Sequence, residues 1–436
     1  RRKRSVTLDS FLWDDGWDDP STLWDFDRVR FPQGFKGVST AAKAGGSGIG
    51  VWLSPWGGYG SAQDQRLKFG KKQGFEINEG GFSLAGPKYF ARFRSAAVAM
   101  ERDYGVNLFK FDGVAGDPSE LAEEMEAMLT LISDLRGGGA VNTTSSAGWN
   151  ANVTTGIGGS GKKSNGGKDK KDPWINLTTG TWPSPFFLLW ADSIWRGGGD
   201  VGFFRDQILG NFTKRQRWLV WREFLVCRNV AMRASFFPLS QLMVHGVVVG
   251  MHGEALLRGL HEHTALDLAQ EAWAFVGMGL QLQELYVTPE LLEDRDWDVL
   301  AEALRWSNTR ADVLRDSHWT FGRFRNLEPY CVASWRGSAA GVDGGLGILL
   351  LRNPLPQSQV TEVFMLSTIL ELPKSENDLL LEVSEVRSLS DGAPRRGCAL
   401  GKAAPDPASR LCRVQASTPT RVELRPGEVL ILELRP

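Results

Sequence analysis

Three acidic clusters, each following an apolar run, carry the chemistry open to this chain: Asp14-Asp15-Gly16-Trp17, Asn107-Leu-Phe-Lys-Phe-Asp-Gly113 and Arg196-Gly-Gly-Gly-Asp200. Lys110 and Asp112 are two residues apart, so on a strand both side chains project from one face. An ammonium beside a carboxylate favours the ionised form, which is the form that attacks an electrophilic carbon. Cleaving a glycosidic bond with retention needs such a nucleophile and a second carboxyl group, about 5–5.5 Å away, that protonates the leaving oxygen. Asp200 suits that second role, in a glycine loop with Arg196 nearby to orient it or bind a hydroxyl; partial burial or the charge of Asp112 would keep its proton on. Asp14 and Asp15 suit bidentate acceptance from vicinal sugar hydroxyls. Taken singly, each cluster has a plainer reading. Lys-x-Asp on a strand is an ion pair, Asp-Asp-Gly a turn, and Arg-x-x-x-Asp a salt bridge on a helix face. Their joint occurrence in order, each after a strand-like run, favours a sugar-processing site.

The elements that must position these residues follow from periodicity. Over residues 5–320 strand-like and helix-like runs alternate, as in βα units around a parallel sheet. Strands are predicted at Ser10–Trp13, Gly48–Ser54, Val106–Phe111 and Trp174–Thr178, and helices over 86–104 and 119–136. Phe186–Ala191 is read as leading into the Arg196–Asp200 loop, with helix over 204–232. Ala234–Val244 and Ala274–Leu282 are predicted to supply the last barrel elements, and Pro289–Ser307 a closing helix. Between residues 137 and 172 the composition shifts to Gly, Ser, Asn, Thr and Lys, too poor in apolar groups to fold, which predicts a mobile insertion. Beyond about Leu314 short alternating runs predict an antiparallel β-sandwich. The fold class expected is therefore α/β: a TIM-type (β/α)8 barrel over residues 1–316, truncated at its N-terminal side, followed by a sandwich over 317–436. Strand C-terminal ends are where such barrels gather catalytic groups. Trp56 and Trp182 stand at such ends and are candidate walls for a sugar ring.

Composition narrows the function classes. The chain has 436 residues, 42% apolar and 23% charged, and a net charge of −1, which makes no electrostatic case for nucleic acid or an anionic membrane. No apolar run approaches the roughly 18 residues that span a bilayer. The four cysteines, at 227, 331, 398 and 412, lack metal-ligand spacing. Cys398 and Cys412 are read either as a disulfide or as two thiols. The five histidines are distant in sequence from the acidic clusters, so no metal or other cofactor is expected.

The motifs Asp14-Asp-Gly-Trp17, Leu108-Phe-Lys-Phe-Asp-Gly113 and Trp195-Arg-Gly-Gly-Gly-Asp-Val201 resemble three successive signatures of the α-galactosidase clan of retaining glycosidases, which includes melibiase and raffinose-synthase relatives. Phe31-Pro-Gln-Gly-Phe35 resembles the clan's helix entry, and Trp273–Leu282 with Pro289–Leu292 resembles its last strand and helix. The resemblance implies that Asp112 is the nucleophile and Asp200 the acid/base, that Asp14 and Asp15 hold hydroxyls at the far end of the sugar, and that Lys110 and Arg196 bind hydroxyls near the reacting carbon. It departs from the clan's pattern in three places. The clan's first strand is expected to precede Arg1, missing or heavily altered in this chain. Thr179-Gly-Thr-Trp182 replaces a cysteine-containing motif, and Phe236–Gln241 holds no clear match for the acidic residue near the seventh strand. The expected activity is hydrolysis of a terminal α-linked, galactose-like sugar through a covalent glycosyl–aspartate, with a carbohydrate as partner. Transfer to an acceptor sugar and a non-catalytic sugar-binding barrel are the alternatives.

Overall fold

The computed structural model describes residues 4–113, 122–137, 172–178, 185–195, 202–203, 212–232, 237–250, 262–322, 327–337, 345–356, 358–391, 395, 399–401 and 412–436. Asp200, Arg196, Trp182, Cys398 and nearly all of the 137–172 insertion therefore lie outside the described residues. The fold is α/β, with a parallel sheet and separate antiparallel sheets. The chain divides into two compact units, Leu8–Trp182 and, together with Arg1–Thr7, Pro183–Pro436.

In the first unit β1 (Ser10–Trp13), β2 (Gly48–Leu53), β3 (Val106–Phe111) and β4 (Trp174–Leu177) pair in that order, every pair parallel. Helix α1 (Lys36–Ala44) follows β1, α2 (Gly60–Gln73) and α3 (Pro87–Tyr104) follow β2, and α4 (Ala122–Leu135) follows β3. Covered on both faces, β2 can be apolar without alternation, and Ile49, Val51, Trp52 and Leu53 are all buried. The predicted helix over 86–104 appears as α3, with Pro87 in its first turn, where a missing N–H is harmless. Gly105 closes it in the left-handed region (φ 68°) and donates its N–H to the Glu101 carbonyl.

In the second unit two predicted elements fall differently. Phe186–Ala191 is not extended: Pro185–Leu189 winds as a 3-10 turn, and the strand is the three-residue Ser193–Trp195, parallel to Leu242–Met243. Ala274–Leu282 is not a strand either. Residues Ala265–Gly277 form a helix, begun by a capping box in which Thr264 and Asp267 bond each other's backbone N–H, while the extended pair is Val247–Val249 with Leu285–Val287. A run of apolar residues carries no period, so helix and strand are indistinguishable from sequence at this length.

The C-terminal run forms a six-stranded antiparallel sheet and a three-stranded one. One core joins them: Leu349, Leu351, Leu381, Leu430 and Leu432 pack with Phe364, Leu400, Val422 and Leu424. Cys412 is disulfide-bonded, whereas Cys227 and Cys331 are buried thiols outside any disulfide. At the foot of this sheet burial pushes the Glu428 carboxyl up, but bonds from Arg395 (2.7 Å and 2.5 Å), Ser388 and the Arg425 N–H (2.7 Å) outweigh it and hold the group below its ordinary range. A depressed carboxyl contributes stability above its unfolded value and loses it as pH falls through the folded value. Replacing Arg395 with Gln should therefore lower stability at neutral pH and flatten its decline below about pH 4.5, the ordinary glutamate range; urea midpoints between pH 7 and pH 3 check this.

Candidate active site

The four parallel strands β1–β4 each deliver a polar residue at the same edge, just past their C-terminal ends. Register explains which ones meet. Trp13 pairs with Val51, so Asp14 stands level with Trp52; Trp52 pairs with Lys110, and Lys110 with Asn176. Two residues further along the strands, on the same face, stand Ser54, Asp112 and Thr178. The ladder continues into this row, because the Asp112 N–H donates to the Leu53 carbonyl and the Thr178 N–H to the Phe111 carbonyl, both at 2.9 Å. Backbone pairing thus fixes the Asp112 main chain before any side chain acts. On the opposite face of β3, Phe109 and Phe111 stack at 5.5 Å and anchor the strand in the core.

The Asp112 side chain is 9% exposed and accepts three hydrogen bonds. Trp52 Nε1 donates to Oδ2 at 3.0 Å; the Tyr59 hydroxyl (3.0 Å) and Thr178 Oγ1 (2.7 Å) donate to Oδ1. All three donors are neutral. Lys110, predicted to sit beside Asp112, instead places its ammonium 2.6 Å from Asp14 Oδ2. The two residues do share a face, but the ammonium reaches across β2 to β1, where register puts Asp14 in its own row. Asp15 turns the other way and accepts from Arg66 Nη2 at 2.9 Å. Asp14 and Asp15 remain about half and one-third exposed, so both present oxygen to solvent.

Trp56 reaches the same place. A Cβ added at Gly113 would stand 3.6 Å from the Trp56 ring and 3.7 Å from the Tyr59 hydroxyl, which puts both aromatic groups beside the residue after Asp112. The Trp56 loop is held by its carbonyl, which accepts from the Phe82 N–H (3.2 Å) and from Gln63 Nε2 (3.3 Å). Gly81 makes that approach possible: at φ +140° its missing Cβ would lie 2.1 Å from the Trp56 carbonyl oxygen. Gly81→Ala should lower unfolding free energy by about 2 kcal/mol or more, from backbone strain plus the displaced carbonyl. Urea denaturation of the variant checks it.

Beneath this surface lies a buried charge cluster that the motifs did not reveal. Arg66 of α2, with a side chain 1% exposed, bonds Asp18 through Nε (2.9 Å) and Nη2 (2.7 Å), Asp15 through Nη2, and the Gly57 carbonyl through Nη1 (2.9 Å). Burial lifts the Asp18 carboxyl above its ordinary range against the pull of Arg66. Burial also pulls on the guanidinium, but the two carboxylates more than offset it and hold its proton firmly. Trp52, Tyr59, Thr178, Asp18 and Arg66 were all absent from the predicted site. A usable signal existed for the first three, which stand at or just beyond the ends of strands adjacent to β3. Nothing in the sequence linked Arg66, 48 residues away, to Asp18.

Among the described residues no group of three His, Cys, Asp or Glu side chains is arranged to hold a metal ion, and no helix is long and apolar enough to cross a membrane.

Comparison with solved structures gives this arrangement its context. The fold is similar to that of solved α-galactosidases. An α-galactosidase from Geobacillus stearothermophilus in complex with 1-deoxygalactonojirimycin aligns over 99% of this chain and 51% of its own, with a TM-score of 0.59 and 8% identity. The α-galactosidase from Lactobacillus brevis aligns over 98% and 51%, with a TM-score of 0.57 and 10% identity. That from Saccharomyces cerevisiae aligns over 98% and 89%, with a TM-score of 0.52 and 11% identity. The chain thus spans about half the length of the two bacterial enzymes. No protein-family model and no curated protein matches the sequence.

Proposed function

We propose that this protein is a retaining α-glycosidase of the α-galactosidase type, acting on a terminal α-linked, galactose-like sugar. The observation that carries the reading is Asp112, a carboxylate held by three donors at the end of a parallel strand, with Asp14 and Asp15 at the same edge. Its fold similarity to α-galactosidases, one of them bound to stachyose, supports a sugar as the partner. In this reading residues 1–316 form the catalytic barrel and 317–436 a β-sandwich.

The reaction runs by double displacement. Asp112 attacks the anomeric carbon, the glycosidic C–O bond breaks, and Asp200 gives its proton to the departing oxygen. Oδ2 is the attacking atom, because it accepts one hydrogen bond where Oδ1 accepts two. Water then attacks the glycosyl–Asp112 ester, passing its proton to Asp200 and releasing the sugar with its original anomeric configuration. Asp14, Asp15, Lys110 and Arg196 hold the hydroxyls, and Trp56 and Trp182 pack on the apolar faces of the ring. The Lys110–Asp14 pair presents a donor and an acceptor side by side, which matches vicinal hydroxyls.

The test is incubation with an α-galactose-configured, mechanism-based covalent inactivator, followed by intact mass and peptide mapping. One adduct, on Asp112, is expected. An adduct on another carboxylate overturns the site assignment, and none on folded protein with galactose-, glucose- and N-acetyl-configured probes alike overturns the activity.

A further inference from the structure

We infer that Arg66 is a positioning residue that sets the sugar-binding carboxylate and the nucleophile's hydrogen-bond donor together; this rests on the glycosidase reading above. Three contacts made by one guanidinium carry it. The first is to Asp15, whose Oδ1 it holds at 2.9 Å while leaving the group open to solvent. Asp15 has a second oxygen free of that bond, so the guanidinium fixes the direction in which the remaining lone pairs face a hydroxyl. The second contact is to the loop after β2, through the Gly57 carbonyl at 2.9 Å, in the same turn that carries Trp56 and Tyr59.

The third contact is aromatic. The guanidinium carbon lies 4.7 Å from the Trp24 ring centroid and 5.6 Å from that of Trp52, two rings that meet edge to face at 6.0 Å, so the charge packs against both indoles. Trp52 is the residue whose Nε1–H donates to Asp112 Oδ2. A shift of the guanidinium therefore moves the indole that orients the nucleophile. Close packing leaves no slack for compensation. A Cβ at Gly58, where φ is +86°, would stand 2.5 Å from Arg66 Nη1 and 3.0 Å from the Trp52 ring.

Asp18 makes the arrangement rigid. It is fully buried and takes the Nε/Nη2 edge of the fork, so the guanidinium plane is determined before Asp15 and Trp52 add their contacts. A lysine would keep the charge but supply no fork; it can satisfy Asp18 or Asp15, and it cannot pack as a plane against the indoles. Arg66 itself is buried beneath these groups and does not reach the sugar, which separates it from Lys110 and Asp14.

The experiment compares wild type with Arg66→Lys, Asp15→Asn and the double variant, after circular dichroism shows each to be folded. Two readouts are used. The first needs no ligand: the indole N–H resonance of Trp52 in ¹⁵N-tryptophan-labelled protein, assigned with Trp52→Phe. It should shift in Arg66→Lys and stay in place in Asp15→Asn. The second is calorimetric affinity for 1-deoxygalactonojirimycin, expected to fall about 10-fold in each single variant, and no further in the double one, because both remove the same oriented contact.

An unmoved Trp52 resonance with wild-type affinity in Arg66→Lys overturns the inference. So does a loss of thermal stability alone, with both readouts unchanged, which is what a purely structural ion pair would give. Absence of iminosugar binding by wild type counts against the galactose-like reading of the site, and the Trp52 resonance then still decides whether Arg66 orients the donor to Asp112.

Discussion

Replacing Asp112 with Asn is expected to remove turnover, by on the order of 10⁴-fold or more, while leaving the protein folded. The amide has nearly the shape of the carboxylate and can still sit among its three partners. The Tyr59 and Thr178 hydroxyls rotate to accept from the new NH₂ group, and the Trp52 indole N–H keeps an oxygen to donate to. Folding should therefore lose only about 1 kcal/mol, the scale of a single altered hydrogen bond. Chemistry loses far more, since an amide oxygen forms no stable glycosyl ester and the whole double displacement depends on one. Initial rates on an aryl α-galactoside, with unfolding midpoints measured in parallel, separate the two effects. Retained turnover in a folded Asp112→Asn protein would refute the assignment.

The second large effect is on stability. Arg66→Met leaves Asp18, which is fully buried, without the guanidinium that pairs with it, and removes the group that packs against Trp24 and Trp52. Breaking a buried pair from one side costs about 3–5 kcal/mol, more than the pair itself contributes relative to an apolar replacement. The pH dependence identifies the cause. Burial already places the Asp18 carboxyl above its ordinary range, and Arg66 opposes that shift; without Arg66 the carboxyl rises further. A carboxyl raised in the folded state binds its proton more tightly there than in the unfolded chain. Its penalty is present above the folded value and is relieved as pH falls toward the unfolded one. The deficit of Arg66→Met should thus shrink between pH 7 and pH 4. Adding Asp18→Asn should recover part of it at pH 7, since a neutral amide removes the stranded charge. Urea midpoints of the three proteins at both pH values test this, and a deficit independent of pH would place the loss in packing against the indoles.

Much of the framework could be read from residue order. A strand shows itself where apolar residues run together before a charged end, as in Val106–Phe111, and a helix where proline opens and glycine closes a periodic stretch, as in Pro87–Tyr104. These signals are local, set by backbone sterics and by one buried face, and so the sequence carried Asp14, Asp15, Lys110, Trp56 and Asp112 to the same strand edge. Where local signals vanish the reading failed. The apolar runs at Phe186–Ala191 and Ala274–Leu282 carry no period, and tertiary packing made them a 3-10 turn followed by a loop, and a helix end followed by a turn.

Partner choice was the other matter beyond the sequence. Spacing put Lys110 and Asp112 on one face, yet the ammonium bonds Asp14, because parallel register sets Asp14 level with it across β2. The donors to Asp112 come from Trp52, Tyr59 and Thr178, between 53 and 66 residues away. Arg66 and Asp18 meet 48 residues apart, inside a cluster of indoles that carries no motif. A strand's direction and the face of each side chain are properties of neighbouring dihedrals, which the sequence determines by itself. Which charges meet across a sheet depends on register, helix placement and the exclusion of water, and these exist only once the chain has packed.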